Sequence, residues 1–150
     1  MGFEPFEDKF LNFRFLVVDD DANVRHIILS YLSKFGFPYI LEAKTGMAAL
    51  DALQNQKKHF DIILSDWDMP DPNGLTLLKA VRKNPLRKNV KFIMITSQVD
   101  YEMEKISQAV EWKVDGYIVK PFTGATLREK LKDVLLLLEK DLSEDDKKSQ

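Results

Sequence analysis

Asp19, Asp20 and Asp21 run consecutively, and Asp66 and Asp68 flank Trp67; each acidic cluster comes directly after a short apolar run. Two carboxylates about 5 Å apart repel by about 3 kcal/mol at an effective dielectric near 20, so three or more drawn together need a counter-charge. A bound cation is the simplest remedy. The candidate ligands are all oxygens, and neither His26 nor His59 falls at the edge of an acidic cluster, which favours a hard cation over zinc or copper. Mg2+ fits best, because it accepts few carboxylates, keeps waters and bridges to phosphate oxygens. Further along, Thr96-Ser97 and Lys120-Pro121 each close an apolar run and add a hydroxyl and an ammonium. That set suits a phosphoryl group formed on a carboxylate, with the metal and Lys120 neutralising its oxygens and Thr96 donating a hydrogen bond. Aspartate is an established nucleophile in phosphoryl transfer, and its acyl phosphate hydrolyses, as a signal of limited lifetime requires.

These residues need elements to bring them together. Short β-rich runs cover Arg14 to Val18, Tyr39 to Ala43, Asp61 to Ser65, Lys91 to Thr96 and Gly116 to Val119, each too short for a buried helix. Between and after them lie helical periodicities: Val24, Ile27, Ile28, Tyr31, Leu32 and Phe35; Met47, Leu50 and Leu53; Leu75, Leu78 and Val81; Met103, Ile106 and Val110; and Leu127, Leu131, Val134, Leu135 and Leu138. Strict β-α alternation with near-continuous apolar strands implies an α/β fold, a parallel sheet with helices on both faces. Five units point to the doubly wound, flavodoxin-like order 2-1-3-4-5, since a closed barrel needs about 250 residues. In that order ligands bind beyond the carboxyl ends of the strands, where the winding reverses between strands one and three. Both acidic clusters fall there.

The chain has 150 residues and is 45% hydrophobic, which suffices for one well-buried core. Residues 14–140 are expected to form this domain, after a Phe-rich segment at 1–13 and before a polar, fraying tail at 141–150. The phenylalanines of the first segment are expected to pack locally, with a partner-binding arm as the alternative. With 22 basic and 24 acidic residues, the net charge of −2 points to neither DNA nor a membrane surface. No apolar run reaches the roughly 20 residues of a bilayer span, the start lacks a signal-peptide pattern, and cysteine is absent. A cytoplasmic location is the expectation.

The run from Phe15 to Asp20 (FLVVDD), the run from Ser65 to Pro70 (SDWDMP) with Gly74, Thr96 after its apolar strand, and the run from Gly116 to Thr123 (GYIVKPFT) resemble the receiver domain of two-component response regulators. Within that family the likeness is greatest to CheY-like single-domain chemotaxis regulators, over roughly residues 13 to 140. The resemblance implies that Asp66 is the phosphoacceptor. Asp19, Asp20 and Asp66 would hold Mg2+ with the backbone carbonyl of Asp68, Thr96 would be the switch hydroxyl, and Tyr117 the aromatic that follows it inward. Lys120 would contact the phosphoryl oxygens, and the bond before Pro121 would be cis. It further implies a sensor histidine kinase as donor and an output face on helix four, strand five and helix five. That face would serve a flagellar motor switch, a relay protein or a homodimer. The protein would then be a stand-alone phosphoacceptor with at most slow autodephosphorylation, not an enzyme. Three features depart from the family pattern: the acidic Asp68 two positions after the acceptor, Trp112-Lys113-Val114 before strand five, and two extra residues between Thr96 and Lys120.

Competing assignments are also concrete. Asp66-Trp67-Asp68 matches the nucleophile-x-acid pattern of haloacid dehalogenase-type phosphatases, but there the nucleophile lies on an early strand, whereas here an acidic pair precedes it. A phosphorylation-independent adaptor would have no need for mutually repelling carboxylates. Asp21 is expected to cap helix one, Trp67 to sit at the pocket rim, and Met47, Met94 and Met103 to lie in the core. The run Leu135 to Leu138 is too wide for one buried stripe, so Leu136 or Leu137 is expected at the surface. His26 and His59 match no phosphoacceptor or ligand spacing.

Overall fold

A computed structural model describes residues 4–97 and 103–148. The apolar runs form β1 (Phe15–Val18), β2 (Ile40–Ala43), β3 (Ile62–Asp66), β4 (Lys91–Ser97) and β5 (Gly116–Lys120), which alternate with α1 (Ala22–Lys34), α2 (Gly46–Gln54), α3 (Gly74–Lys83), α4 (Met103–Glu111) and α5 (Gly124–Lys148). The strands pair in parallel in the order β2-β1-β3-β4-β5. This is the doubly wound arrangement expected from the β-α alternation.

Side-chain alternation along the strands divides the core into two layers. Phe15 and Val17 of β1 face α1 and α5 together with Ile28, Leu32, Leu131 and Val134. Leu16 and Val18 face the opposite layer, with Leu53, Leu77, Leu78 and Val81 of α2 and α3. Four helix starts, those of α1, α2, α3 and α5, are fastened by a side chain ahead of them. Asp21 accepts from the amides of Asn23 and Val24, Thr45 from that of Ala48, Asn73 from that of Thr76, and the Thr123 hydroxyl from that of Thr126. Such caps contribute about 1 kcal/mol apiece.

The strand boundaries shift by about one residue, and the shift has a direction. β1, β2 and β3 start one residue later than the apolar pattern suggests, while β3, β4 and β5 continue through Asp66, Ser97 and Lys120. The polar end residues thus belong to the ladder itself: Asp66 lies opposite Ile95 and Ser97 opposite Lys120.

Other expectations need correction. Met94 is core, but Met47 is 56% and Met103 77% exposed. Periodicity gives the spacing of a helix's apolar stripe but not how much of it a neighbour covers, and in α4 only Ala109 is buried. Trp67 is buried among the α2–α3 layer, not at the rim. The segment expected to fray from residue 141 continues α5 to Lys148, with the Asp141 carboxylate 2.8 Å from Lys91 Nζ. Leu136 and Leu137 are exposed, and Leu135 and Leu138 buried, as the width of that run implies. Among the described residues of the first segment the phenylalanines do pack locally: Phe6 and Phe10 are buried against Phe35, Phe37 and α5, and Phe13 packs beside them, while Phe3 lies outside the described residues.

Candidate functional site

The carboxyl ends of β1, β3, β4 and β5 open into a cleft of about 580 Å³ lined by Asp20, Asp21, Asp66, Asp68, Ser97 and Lys120. Carboxylate oxygens of Asp19, Asp20 and Asp66 lie within 4.8 Å of one another. Asp19 is fully buried, Asp66 nearly so, and Asp20 exposed. From β5, Lys120 Nζ reaches 3.2 Å from Asp66 Oδ1 and 3.5 Å from Asp19 Oδ2. Among the described residues lining the cleft, Lys120 brings the one ammonium against the clustered carboxylates of Asp19, Asp20 and Asp66, so negative charge is in excess there. A hard divalent cation suits an all-oxygen donor set of this span.

Local backbone geometry aims these groups. The Asp19 amide donates to Ala43 at 3.3 Å, and Asp19 Oδ1 accepts from the Asp21 amide at 2.9 Å. Asp66 accepts from the Asp68 amide. The turn after β3 closes through the Gly74 amide, which donates to the Trp67 carbonyl at 3.0 Å. A Cβ at Gly74 would lie 2.5 Å from the Asp66 carbonyl oxygen and 2.8 Å from Met94 Sδ, so only glycine fits. Both Lys120-Pro121 and Asp71-Pro72 are cis, the first as the motif implies and the second not anticipated.

The electrostatics follow from this crowding. Burial first, and then repulsion from Asp19, push the Asp66 carboxyl up to about 6; Lys120 and the Asp68 amide pull the other way. Asp19 is also raised by burial, opposed by the Asp21 amide and Lys120. For Lys120, burial acts downward, but the carboxylates of Asp66 and Asp19 outweigh it and its pKa ends above the usual lysine value.

The remaining expected residues fall at different depths. Asp68 stands exposed on the cleft wall. Thr96 is buried on β4, its hydroxyl 3.4 Å from the Ser97 carbonyl, and Ser97 lines the cleft beside it. Tyr117 is half-buried, its hydroxyl donating to the Ile106 carbonyl at 3.4 Å, which ties β5 to α4. Residues 98–102, where part of the lengthened segment before strand five falls, lie outside the described residues; Trp112 and Lys113 follow α4, the latter with φ of 61°. Asp21 is a cap, as expected. His26 is exposed on α1, and His59 sits 2.9 Å from Asp61, at the other end of the sheet. There a second cleft, of about 540 Å³, has Arg14, Lys57, Lys58 and His59 in its lining and none of the clustered carboxylates.

Sequence reasoning missed Arg25. It is only 4% exposed, and its Nη1 donates to the Asp19 carbonyl at 2.9 Å. The available signal was an arginine in helical register with Ile28 and Leu32, on the core face of α1.

Comparison with known proteins agrees with this geometry. The response regulator receiver domain family matches residues 15–132. Chemotaxis protein CheY-3 of Vibrio cholerae is 42% identical over 120 residues, covering 80% of this chain and 89% of that protein. A chemotaxis protein CheY homolog of Campylobacter jejuni is 38% identical over 122 residues, covering 81% of this chain and 92% of the relative. Among solved structures, a CheY-like receiver domain protein of Methanospirillum hungatei superposes with a TM-score of 0.77 at 31% identity, over 86% of this chain and 98% of that one. With the strand order, the acidic cleft and the matched span in agreement, the chain belongs to the response regulator receiver domain family.

Proposed function

We propose that this protein is a phosphorylation switch in which Asp66 accepts a phosphoryl group from a histidine kinase. The observation that carries the reading is the convergence of the Asp19, Asp20 and Asp66 carboxylates within 4.8 Å, with Lys120 Nζ 3.2 Å from Asp66. Asp19, Asp20 and Asp66 would hold Mg2+, with the Asp68 backbone carbonyl as a further oxygen ligand. When bound, the ion supplies positive charge to the phosphoryl oxygens and to the attacking carboxylate. An Asp66 carboxylate oxygen attacks phosphorus; the new O–P bond forms as the P–N bond to the donor imidazole breaks, and that imidazole leaves with the bonding electron pair. Lys120 neutralises phosphoryl charge. Thr96 exchanges its weak bond to the Ser97 carbonyl for one to the phosphoryl group, and Tyr117 turns inward in its wake.

The donor needs a surface to dock on. Val24, Ile27, Pro121 and Phe122 line an apolar groove that shares Lys120 with the acidic cleft, and Ile27 is 49% exposed. A helical kinase segment laid there would reach the cleft's mouth. Output passes through α4, β5 and α5, where Tyr117 links β5 to α4. Phosphorylation has to favour one of two arrangements of this face by only a few kcal/mol. Two relatives carry chemotaxis names, which supports a cytoplasmic role in chemotaxis with a motor or relay protein as target. Asp68 adds a negative charge beside the acyl phosphate, and repelling the attacking water's electron pair would lengthen the signal.

The test uses Mg2+ with acetyl phosphate or beryllofluoride while Trp67 fluorescence is followed. The expected result is a saturable change and at most one phosphoryl group per chain, both lost in Asp66→Asn. Multiple turnover of small phosphate esters would instead indicate a phosphatase.

A further inference from the structure

The carbonyl of Asp19 lies one residue beyond β1, and among the described residues no backbone amide donates to it. It is buried, so it needs a donor. Arg25 provides one from α1 through Nη1 at 2.9 Å, while Nε of the same guanidinium lies 3.4 Å from Glu42 Oε1 on β2. That Nε makes no aligned hydrogen bond, so the Glu42 contact is an ion pair that steadies the guanidinium between two strands. On the other side of the residue, the Asp19 amide is held by Ala43 of β2. Both peptide planes flanking Asp19 are therefore clamped, and the second of them also fixes the start of Asp20.

We infer that Arg25 is a positioning residue for the cation pocket: by holding the Asp19 carbonyl, it sets the peptide from which the Asp19 and Asp20 carboxylates project. This rests on the proposed function, in which those carboxylates hold Mg2+. The requirement is for arginine. A planar fork can satisfy the carbonyl and face Glu42 together, whereas a lysine ammonium at the end of a flexible stem acts as a single point charge. Groups that orient metal-binding residues from behind typically change metal affinity by roughly 10–100-fold when removed.

The experiment compares Arg25→Met and Arg25→Lys with the unaltered protein. Mg2+ dissociation constants are read from Trp67 fluorescence at a temperature well below each variant's unfolding midpoint, with folding checked by circular dichroism. Arg25→Met is expected to weaken Mg2+ binding by about tenfold or more, and Arg25→Lys to recover part of the loss. Phosphoryl incorporation from acetyl phosphate is expected to return toward the unaltered level once Mg2+ is saturating. If Arg25→Met does not fold, Arg25→Lys decides, with at least about a threefold weakening expected as a fraction of that loss. Mg2+ binding within twofold of the unaltered protein in a folded variant overturns the inference, even if the unfolding midpoint falls, because a purely structural arginine would lower stability alone. Failure of the unaltered protein to bind Mg2+ would instead defeat the switch reading itself.

Discussion

Asp66 carries a chemical conflict: phosphoryl transfer needs its carboxylate, yet burial and the neighbouring Asp19 charge raise its pKa to about 6. A cation must compete with a proton for this site, so Mg2+ affinity should fall as pH drops through about 6, and binding near that pH should release protons. Isothermal titration in two buffers of different ionisation heat would detect the release; a pH-independent affinity between pH 5 and 8 would refute it. The same conflict sets the sign of a stability effect. With the folded pKa raised from 3.8, the metal-free folded state holds its proton more tightly than the unfolded chain, so stability is lost as pH rises through about 6. Asp66→Asn stays neutral throughout. Its metal-free stability should match that of the unaltered protein below about pH 3, under both pKa values, and exceed it by about 3 kcal/mol at pH 7.5, as urea unfolding would measure. The acids, the hydroxyl and Lys120 were legible in the sequence because each closes an apolar run. Arg25 and the depth of Trp67 were not, because both depend on which helix covers which end of the sheet.

At the scale of elements, the cleft depends on turns that leave no spare volume. Gly74 begins α3 directly beneath the end of β3, where a methyl group would meet the Asp66 carbonyl, Met94 Sδ and the Trp67 Cα within 2.8 Å. Gly74→Ala should cost roughly 1–3 kcal/mol of stability through overpacking. Because the displaced atoms belong to the acceptor's own backbone, it should also weaken Mg2+ binding; Ala substitution at exposed Met47 should do neither. Urea midpoints and Trp67 titrations on the two variants make the comparison. On the far side of α3, Arg82 shows the same economy. Its guanidinium donates to the carbonyls of Trp112 and Lys113 and to Asp115, so one side chain anchors the connection into β5. The existence and order of the elements could be read from alternating periods, but how far each was covered could not. Met47 and Met103 occupy apolar-stripe positions on short helices whose neighbours leave those ends open.

On the scale of the whole molecule, the segments flanking residues 15–132 are joined to the receiver core and to each other. Phe6 and Phe10 enter the α1–α5 layer, Arg128 donates to the Glu4 carbonyl and stands 4.2 Å from the Phe6 ring centroid, and Lys9 pairs with Glu139 at 3.1 Å. The concentration of phenylalanine near the start was visible in the sequence and correctly suggested local packing. The helical continuation of α5 was hidden by a polar composition that reads equally well as a loose tail. Its Asp141–Lys91 pair adds little by itself, since Asp141 is half-exposed; apolar burial upstream at Leu135 and Leu138 anchors the helix. The first segment and α5 therefore act as one added wall around the amino-terminal ends of the strands, opposite the acidic cleft. Phe10→Ala should remove about 3–5 kcal/mol from the unfolding free energy, as expected for emptying a buried aromatic site, while leaving the Mg2+ dissociation constant within twofold. A large loss of Mg2+ affinity in that variant, measured where it remains folded, would mean that the wall transmits strain along the strands to Asp19 and Asp66 instead of only supporting the far end of the core.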